Sequence, residues 1–155
     1  MASAMPSFAA DRMLGRLARW LRLIGLDPLY DPTLDGPALA RRAQNEGRIL
    51  LTRDTRLLRR RALPKHLLIA DDQFRLQLRQ VLRAFEIDPF GALLTRCSLC
   101  NQPLQNLPAS EARARVPAYV AATQTDFARC PSCGRIYWAA THVSRLRSEL
   151  ERILT

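Results

Sequence analysis

The chain has 155 residues, 48% hydrophobic and 25% charged, a globular composition with room for one ordinary domain plus a small module. No apolar run is long enough to span a bilayer, and the opening MASAMPSFAADRM lacks the basic and apolar regions of a signal peptide. A cytoplasmic protein without a membrane partner is therefore expected. Twenty-four Lys+Arg against 14 Asp+Glu give a net charge of +10, nearly all of it arginine, which suits either a solubilising surface or a polyanion partner such as nucleic acid.

In chain order, Ser7–Ala10 is a short apolar run ending at Asp11. Residues 13–24 have helical periodicity, with Arg12, Arg16, Arg19 and Arg22 on one side, Leu14, Leu17, Ala18, Leu21 and Ile24 on the other, and Gly25 as the stop. Leu29–Tyr30 reads as a short strand before Asp31. Proline early and glycine late frame a helix over 37–46. Ile49–Thr52 is apolar without alternation, as in a strand buried on both faces. A short basic helix is expected over 55–62, a further buried strand over 67–70, and an amphipathic helix over 72–85 with Phe74, Leu78, Val81, Leu82 and Phe85 inward. Strands separated by helices imply parallel pairing. Residues 1–90 thus read as an α/β domain and 91–155 as a smaller cysteine-bearing module ending in a helix, whose apolar face is Val143, Leu146, Leu150 and Ile153.

Cys97-Ser-Leu-Cys100 and Cys130-Pro-Ser-Cys133 are two CxxC turns. Each aims two thiolates at one point, and two such turns complete a tetrahedron around Zn²⁺. Gly134 tolerates the positive φ that closes such a turn. Cysteines in a reducing compartment bind metal more often than they form disulfides, and a redox motif needs one pair rather than two. A closed structural zinc site follows. His142, the nearest histidine, reads as a surface or RNA-facing residue rather than a ligand.

Acidic residues are scarce and their placement is pointed. Asp11, Asp31, Asp54 and the pair Asp71 and Asp72 each follow a predicted strand. In a parallel sheet the C-terminal strand ends share one edge, where sites gather. Carboxylates there suit Mg²⁺ or Mn²⁺ and phosphodiester cleavage. Each also has a plainer role: Asp11, Asp54 and one of Asp71 and Asp72 as helix caps, Asp31 as a turn residue, Asp35 as a cap. Arg12, Arg53 and Arg56 flank the two best acidic positions, as a threading nucleic-acid backbone would require. Trp20 and Tyr30 read as core.

The stretch from Phe8-Ala-Ala-Asp11 to Arg22, then Gly25, Ile49-Leu-Leu-Thr-Arg-Asp54, Asp71-Asp72 and Arg129-Cys-Pro-Ser-Cys-Gly-Arg-Ile-Tyr-Trp138 resembles one family. It is the PIN-like RNase domain with a fused zinc ribbon, named for the C-terminal domain of the Mut-seven exonuclease. The resemblance spans nearly the whole chain. It implies a PIN-like three-layer α/β fold with a short parallel sheet, a C-terminal zinc ribbon, and metal-dependent endoribonuclease activity. It assigns the first catalytic carboxylate to Asp11, the Thr-x-Asp carboxylate to Asp54 and a fourth acidic position to Asp72 or Asp71. PIN nucleases commonly carry an acid in the second helix; residues 38–45 have none, which leaves Asp31 or Asp35 as substitutes. Expected cofactors are structural Zn²⁺ and catalytic Mg²⁺ or Mn²⁺ on Asp11, Asp54 and Asp72. The expected partner is RNA, tRNA or rRNA among its classes, held by Arg12, Arg16, Arg19, Arg53 and Arg56. A non-catalytic RNA-binding or ribosome-associated protein is the alternative.

Overall fold

Four short strands carry the fold: β1 (Ser7–Ala10), β2 (Asp27–Tyr30), β3 (Ile49–Thr52) and β4 (His66–Leu68). They pair in parallel in the order β2-β1-β3-β4. The computed structural model describes residues 4–138 and 140–155, without the side chains of 140–142, so the side chain of His142 and the first three residues of the opening segment lie outside the described residues.

Side chains alternate across a strand, and the alternation sorts the core into two layers. Phe8, Ala10, Ile49 and Leu51 face one side, with α1 (Gly15–Leu23) and α3 (Phe74–Ala84) packed there. Ala9 and Leu50 face the other, covered by Leu39, Ala40 and Ala43 of α2 (Gly36–Glu46). The result is a three-layer α/β fold, as expected. Each fully buried large side chain contributes about 1.5–3 kcal/mol.

Helix ends follow their sequence signals. Asp35 caps α2 by accepting from the Ala38 N–H at 2.8 Å, and Gly47 ends it at φ 65°. Arg12–Leu14 form a 3₁₀ turn leading into α1, where a regular helix was expected from residue 13. Gly25, at φ 90°, closes α1, with the Leu26 N–H bonded to the Leu21 carbonyl. A Cβ at Gly25 would overlap the Ala92 carbonyl oxygen. Gly25→Ala is expected to lower stability by about 2 kcal/mol or more, read from a denaturant midpoint, because left-handed strain adds to this overlap.

Three expectations are corrected. Residues 55–62 form only a 3₁₀ turn, Leu57–Arg59. Leu57 alone is buried there, like charges sit four apart at Arg56 and Arg60, and Pro64 disfavours helix just before it. The fourth strand is an edge, not a buried strand: Leu68 is 39% exposed and only Ile69, just past it, is buried. The Gln80 side chain covers that edge, donating to the Leu68 carbonyl and accepting from the Ala70 N–H. Neither Asp71 nor Asp72 caps α3; Gln73 holds that position without a side-chain bond, and Asp71 accepts from the Gln73 N–H in the preceding turn.

A three-stranded antiparallel ribbon follows: β5 (Gln105–Leu107), β6 (Phe127–Arg129) and β7 (Ile136–Trp138). Two short helices not foreseen in the sequence, α4 (Ala109–Ala112) and α5 (Ala118–Thr123), cover it, and Leu107, Ala112, Val120 and Phe127 form its small core. The last helix, α6 (Ala140–Leu154), returns to the α/β layer. Leu146, Leu150 and Ile153 join the α1–α3 core, and Arg75 and Arg79 of α3 bond Glu149 and the Ile153 carbonyl. No helix among the described residues is long and apolar enough to cross a membrane.

Candidate functional site

β1 lies between β2 and β3, so the chain leaves it first to one side and later to the other. The crevice beyond the C-terminal ends of β1 and β3 is therefore the switch point of the sheet, where open α/β folds place ligands. Asp11 and Asp54 stand at those two ends. They line one pocket of about 210 Å³ together with Arg12, Thr52 and an apolar wall from Leu34, Leu39 and Leu57.

Asp11 is buried, at 8% exposure, and its carboxylate is heavily engaged. One oxygen accepts from the Met13 N–H at 3.0 Å. The other accepts from the Thr52 hydroxyl at 2.6 Å and the Arg53 N–H at 3.0 Å. Thr52 in turn accepts from the Asp54 N–H at 2.9 Å. The Asp11 carboxylate thus ties the end of β1 to the end of β3. Thr52 is the residue that sequence reasoning missed; its place in Thr-Arg-Asp was visible, but not that its hydroxyl bridges the two acids. Asp54 is exposed, and its Oδ1 accepts from the Arg56 N–H at 2.9 Å.

The other acids stand apart, and the sheet order says why. Asp31 and Asp72 follow the outer strands, which lie about 14 Å apart at three spacings of about 4.8 Å. Asp31 closes a turn by accepting from the Thr33 hydroxyl at 2.6 Å and from the Thr33 N–H, bonds that lower its pKa. Asp72 lines the next hollow, across Met13, with Arg16 and Phe74. Among the described residues the four cysteines are the one group of three or more metal-ligating side chains within ligand reach.

The arginines divide similarly. Arg12 lines the acid pocket and donates to the Leu34 carbonyl. Arg53 points towards β4, donating to the Ile69 carbonyl at 3.3 Å, and Arg56 is exposed beside Asp54. The Arg16 guanidinium lies 3.9 Å over the Phe74 ring. Arg19 lies in a groove between α1 and the ribbon. Trp20 and Tyr30 pack against the main core, as read from the sequence.

The cysteine site is built from two matching turns. The Asn101 N–H bonds the Cys97 carbonyl and the Gly134 N–H bonds the Cys130 carbonyl, both at 2.9 Å. Asn101 and Gly134 have φ of 63° and 76°. The expected glycine thus has an asparagine counterpart, the next best residue for this conformation. All four sulfurs lie within 4.8 Å of one another, and Cys97 and Cys133 are 3.8 Å apart. A tetrahedron with metal–sulfur bonds of about 2.3 Å places its sulfurs about 3.8 Å apart, so the donors fit Zn²⁺. None of the four forms a disulfide.

The thiols also fit electrostatically. Burial opposes ionisation of Cys97, but the Tyr137 hydroxyl at 3.1 Å and backbone N–H groups bring its pKa down to about 6. Cys100 goes up to about 11, held neutral by its hydrogen bond with Cys133, by burial and by the neighbouring sulfur charges. Zinc binds thiolates, so the ready ionisation of Cys97 suits the site, and a bound dication would favour loss of the Cys100 proton. Two outer contacts went unforeseen. Arg22 donates to the carbonyls of Ser98 and Leu99, and Asn101 donates to Asp27 at 2.6 Å, so the end of α1 and the start of β2 hold the first cysteine turn.

No curated protein and no solved structure matches the chain. The family model described as Mut7-C RNAse domain matches residues 6–150, so the strand-end acids and the four-cysteine ribbon fall within a single match, and the chain belongs to that family.

Proposed function

We propose that this protein is a metal-dependent ribonuclease that hydrolyses RNA phosphodiester bonds at the Asp11–Asp54 pocket. The observation that carries this reading is the pocket itself: two carboxylates from the two central strands, with Arg12 in the wall, on a protein of net charge +10. Membership of an RNase-domain family supports it. Mg²⁺ is commonly held by one or two carboxylates, waters and substrate phosphate, so Asp11 and Asp54 meet its needs and Asp31 and Asp72 are not required. When bound, Mg²⁺ or Mn²⁺ would supply charge stabilisation and a water of lowered pKa. Arg12 would pair with a phosphate oxygen, and Arg53 and Arg56 would draw the backbone towards the sheet edge. The Thr52 hydroxyl donates to the Asp11 carboxylate and accepts from the Asp54 N–H, so it ties the Asp11 side chain to the Asp54 backbone.

The three hydrogen bonds to Asp11 explain its burial on structural grounds alone, which favours the second reading, an RNA-binding protein without turnover. One experiment separates the two. Asp54→Asn keeps the oxygen that accepts from Arg56 and removes the charge, so the fold is retained. RNA cleavage with Mg²⁺ or Mn²⁺ is expected to fall by about 100-fold or more, the size of one well-placed electrostatic group. Equal rates in both proteins would exclude the pocket as the reaction centre. Absence of metal-dependent product in wild type would leave RNA binding alone.

A further inference from the structure

Three arginines of the first helical segment, at positions 12, 16 and 19, open onto three consecutive hollows. Arg12 lines the acid pocket, Arg16 the hollow across Met13, and Arg19 the groove against the ribbon. The spacing of four and three residues keeps them on one face, and the separation of seven positions from first to last spans about 10 Å. All three are exposed, and Met13 between the first two hollows is 67% exposed.

The far groove, of about 240 Å³, has a different lining from the acid pocket. Arg19 and Arg135 line its two sides, with the Tyr137 ring on the ribbon wall, while the side chain of Trp138, next in β7, packs on the ribbon core. The Arg135 guanidinium lies 6.0 Å over the Tyr137 ring. The Tyr137 hydroxyl bonds Cys97 Sγ and the Ser98 N–H, so the metal-site turn fixes the aromatic wall. No acidic side chain lines this groove among the described residues. Cations beside an aromatic ring in a shallow groove form a platform on which single-stranded nucleic acid stacks a base and pairs its phosphates. Duplex RNA has its bases already stacked and presents backbone, 2′-hydroxyls and base edges rather than base faces to such a wall.

We propose that the groove between α1 and β7 docks the unpaired segment of the RNA substrate, and that the face of Arg12, Arg16 and Arg19 leads from it to the acid pocket. This rests on the ribonuclease reading for its direction, but the groove can be tested without cleavage. In the non-cleaving Asp54→Asn protein, the probes are labelled oligouridines of about 12 and about 3 nucleotides and a duplex of the longer length, with affinity read by fluorescence anisotropy. Arg19→Glu with Arg135→Glu is expected to weaken the longer strand by at least about tenfold at about 0.1 M salt and to flatten its salt slope by about 1.4. The short strand and the duplex are expected to lose less. Zinc content near one per chain shows that each variant keeps its ribbon.

Unchanged affinity for the longer strand overturns the proposal, as does an equal loss for the duplex. If wild type cleaves no RNA while the affinity loss holds, the docking groove stands and the ribonuclease reading falls.

Discussion

Cys130→Ser is expected to take bound zinc from near one per chain to near none and to unfold residues 97–138, while the α/β layer and α6 stay folded. The ribbon's own core is four side chains, Leu107, Ala112, Val120 and Phe127, each worth about 1.5–3 kcal/mol at best. Binding of a structural zinc supplies about 10–16 kcal/mol. Loss of one thiolate therefore removes the larger part of what holds the module. The sharp feature is α6. It follows the ribbon in sequence, yet Leu146, Leu150 and Ile153 pack against the α1–α3 core. Hydrogen exchange is expected to show a rise confined to the ribbon, with protection retained on both sides of it in the chain. Loss of protection in α6 together with the ribbon would join the two into one cooperative unit. Zinc still near one per chain would mean a different ligand set.

Asp11→Ala is expected to cost about 3–5 kcal/mol of stability, far more than a change at Asp54. It leaves the Thr52 hydroxyl and the N–H groups of Met13 and Arg53 without their acceptor, and each such group costs about 1–3 kcal/mol when buried, less where pocket water reaches it. Asp54→Asn, on an exposed residue, is expected to stay within about 0.5 kcal/mol. Denaturant midpoints check both. Asp11→Asn falls between them, because the amide keeps one acceptor oxygen and turns its NH₂ towards donors. A cleavage loss in Asp11→Asn therefore counts towards chemistry only where folded protein is matched. If Asp11→Ala proved as stable as wild type, the bracket between β1 and β3 would be ornamental.

Much of the α/β layer was legible because its signals are local. Ile49–Thr52 is uniformly apolar and uniformly buried, and Asp35, Pro37 and Gly47 frame a helix by their own backbone preferences. The four-cysteine cluster was legible because each CxxC turn is set by its own residues, whereas the contacts of Arg22 and Asp27 that hold the first turn come from distant sequence. What failed depended on neighbours. Arg56–Arg61 has helix formers but only Leu57 to anchor them, so it never extends past one turn. The Leu67–Ala70 run is apolar enough for a central strand, but strand order, invisible in the sequence, puts it at the edge. The acids show the same limit. Each follows a strand as read, but which two meet is decided by β1 and β3 being neighbours in the middle of the sheet. The stripe on α6 announced burial without naming its partner.

The return of α6 to α3 has a consequence for biosynthesis. Fifty-five residues separate Ala84 from Ala140, and the ribbon is made within that interval. At about 5–20 residues per second, α3 waits about 3–11 s after its own synthesis before the helix that covers it begins to be made. During that time part of its apolar side is open to other chains, while the first cysteine turn, only thirteen residues past Ala84, can already dock on Arg22 and Asp27. Truncation before residue 140 would make that exposed interval permanent.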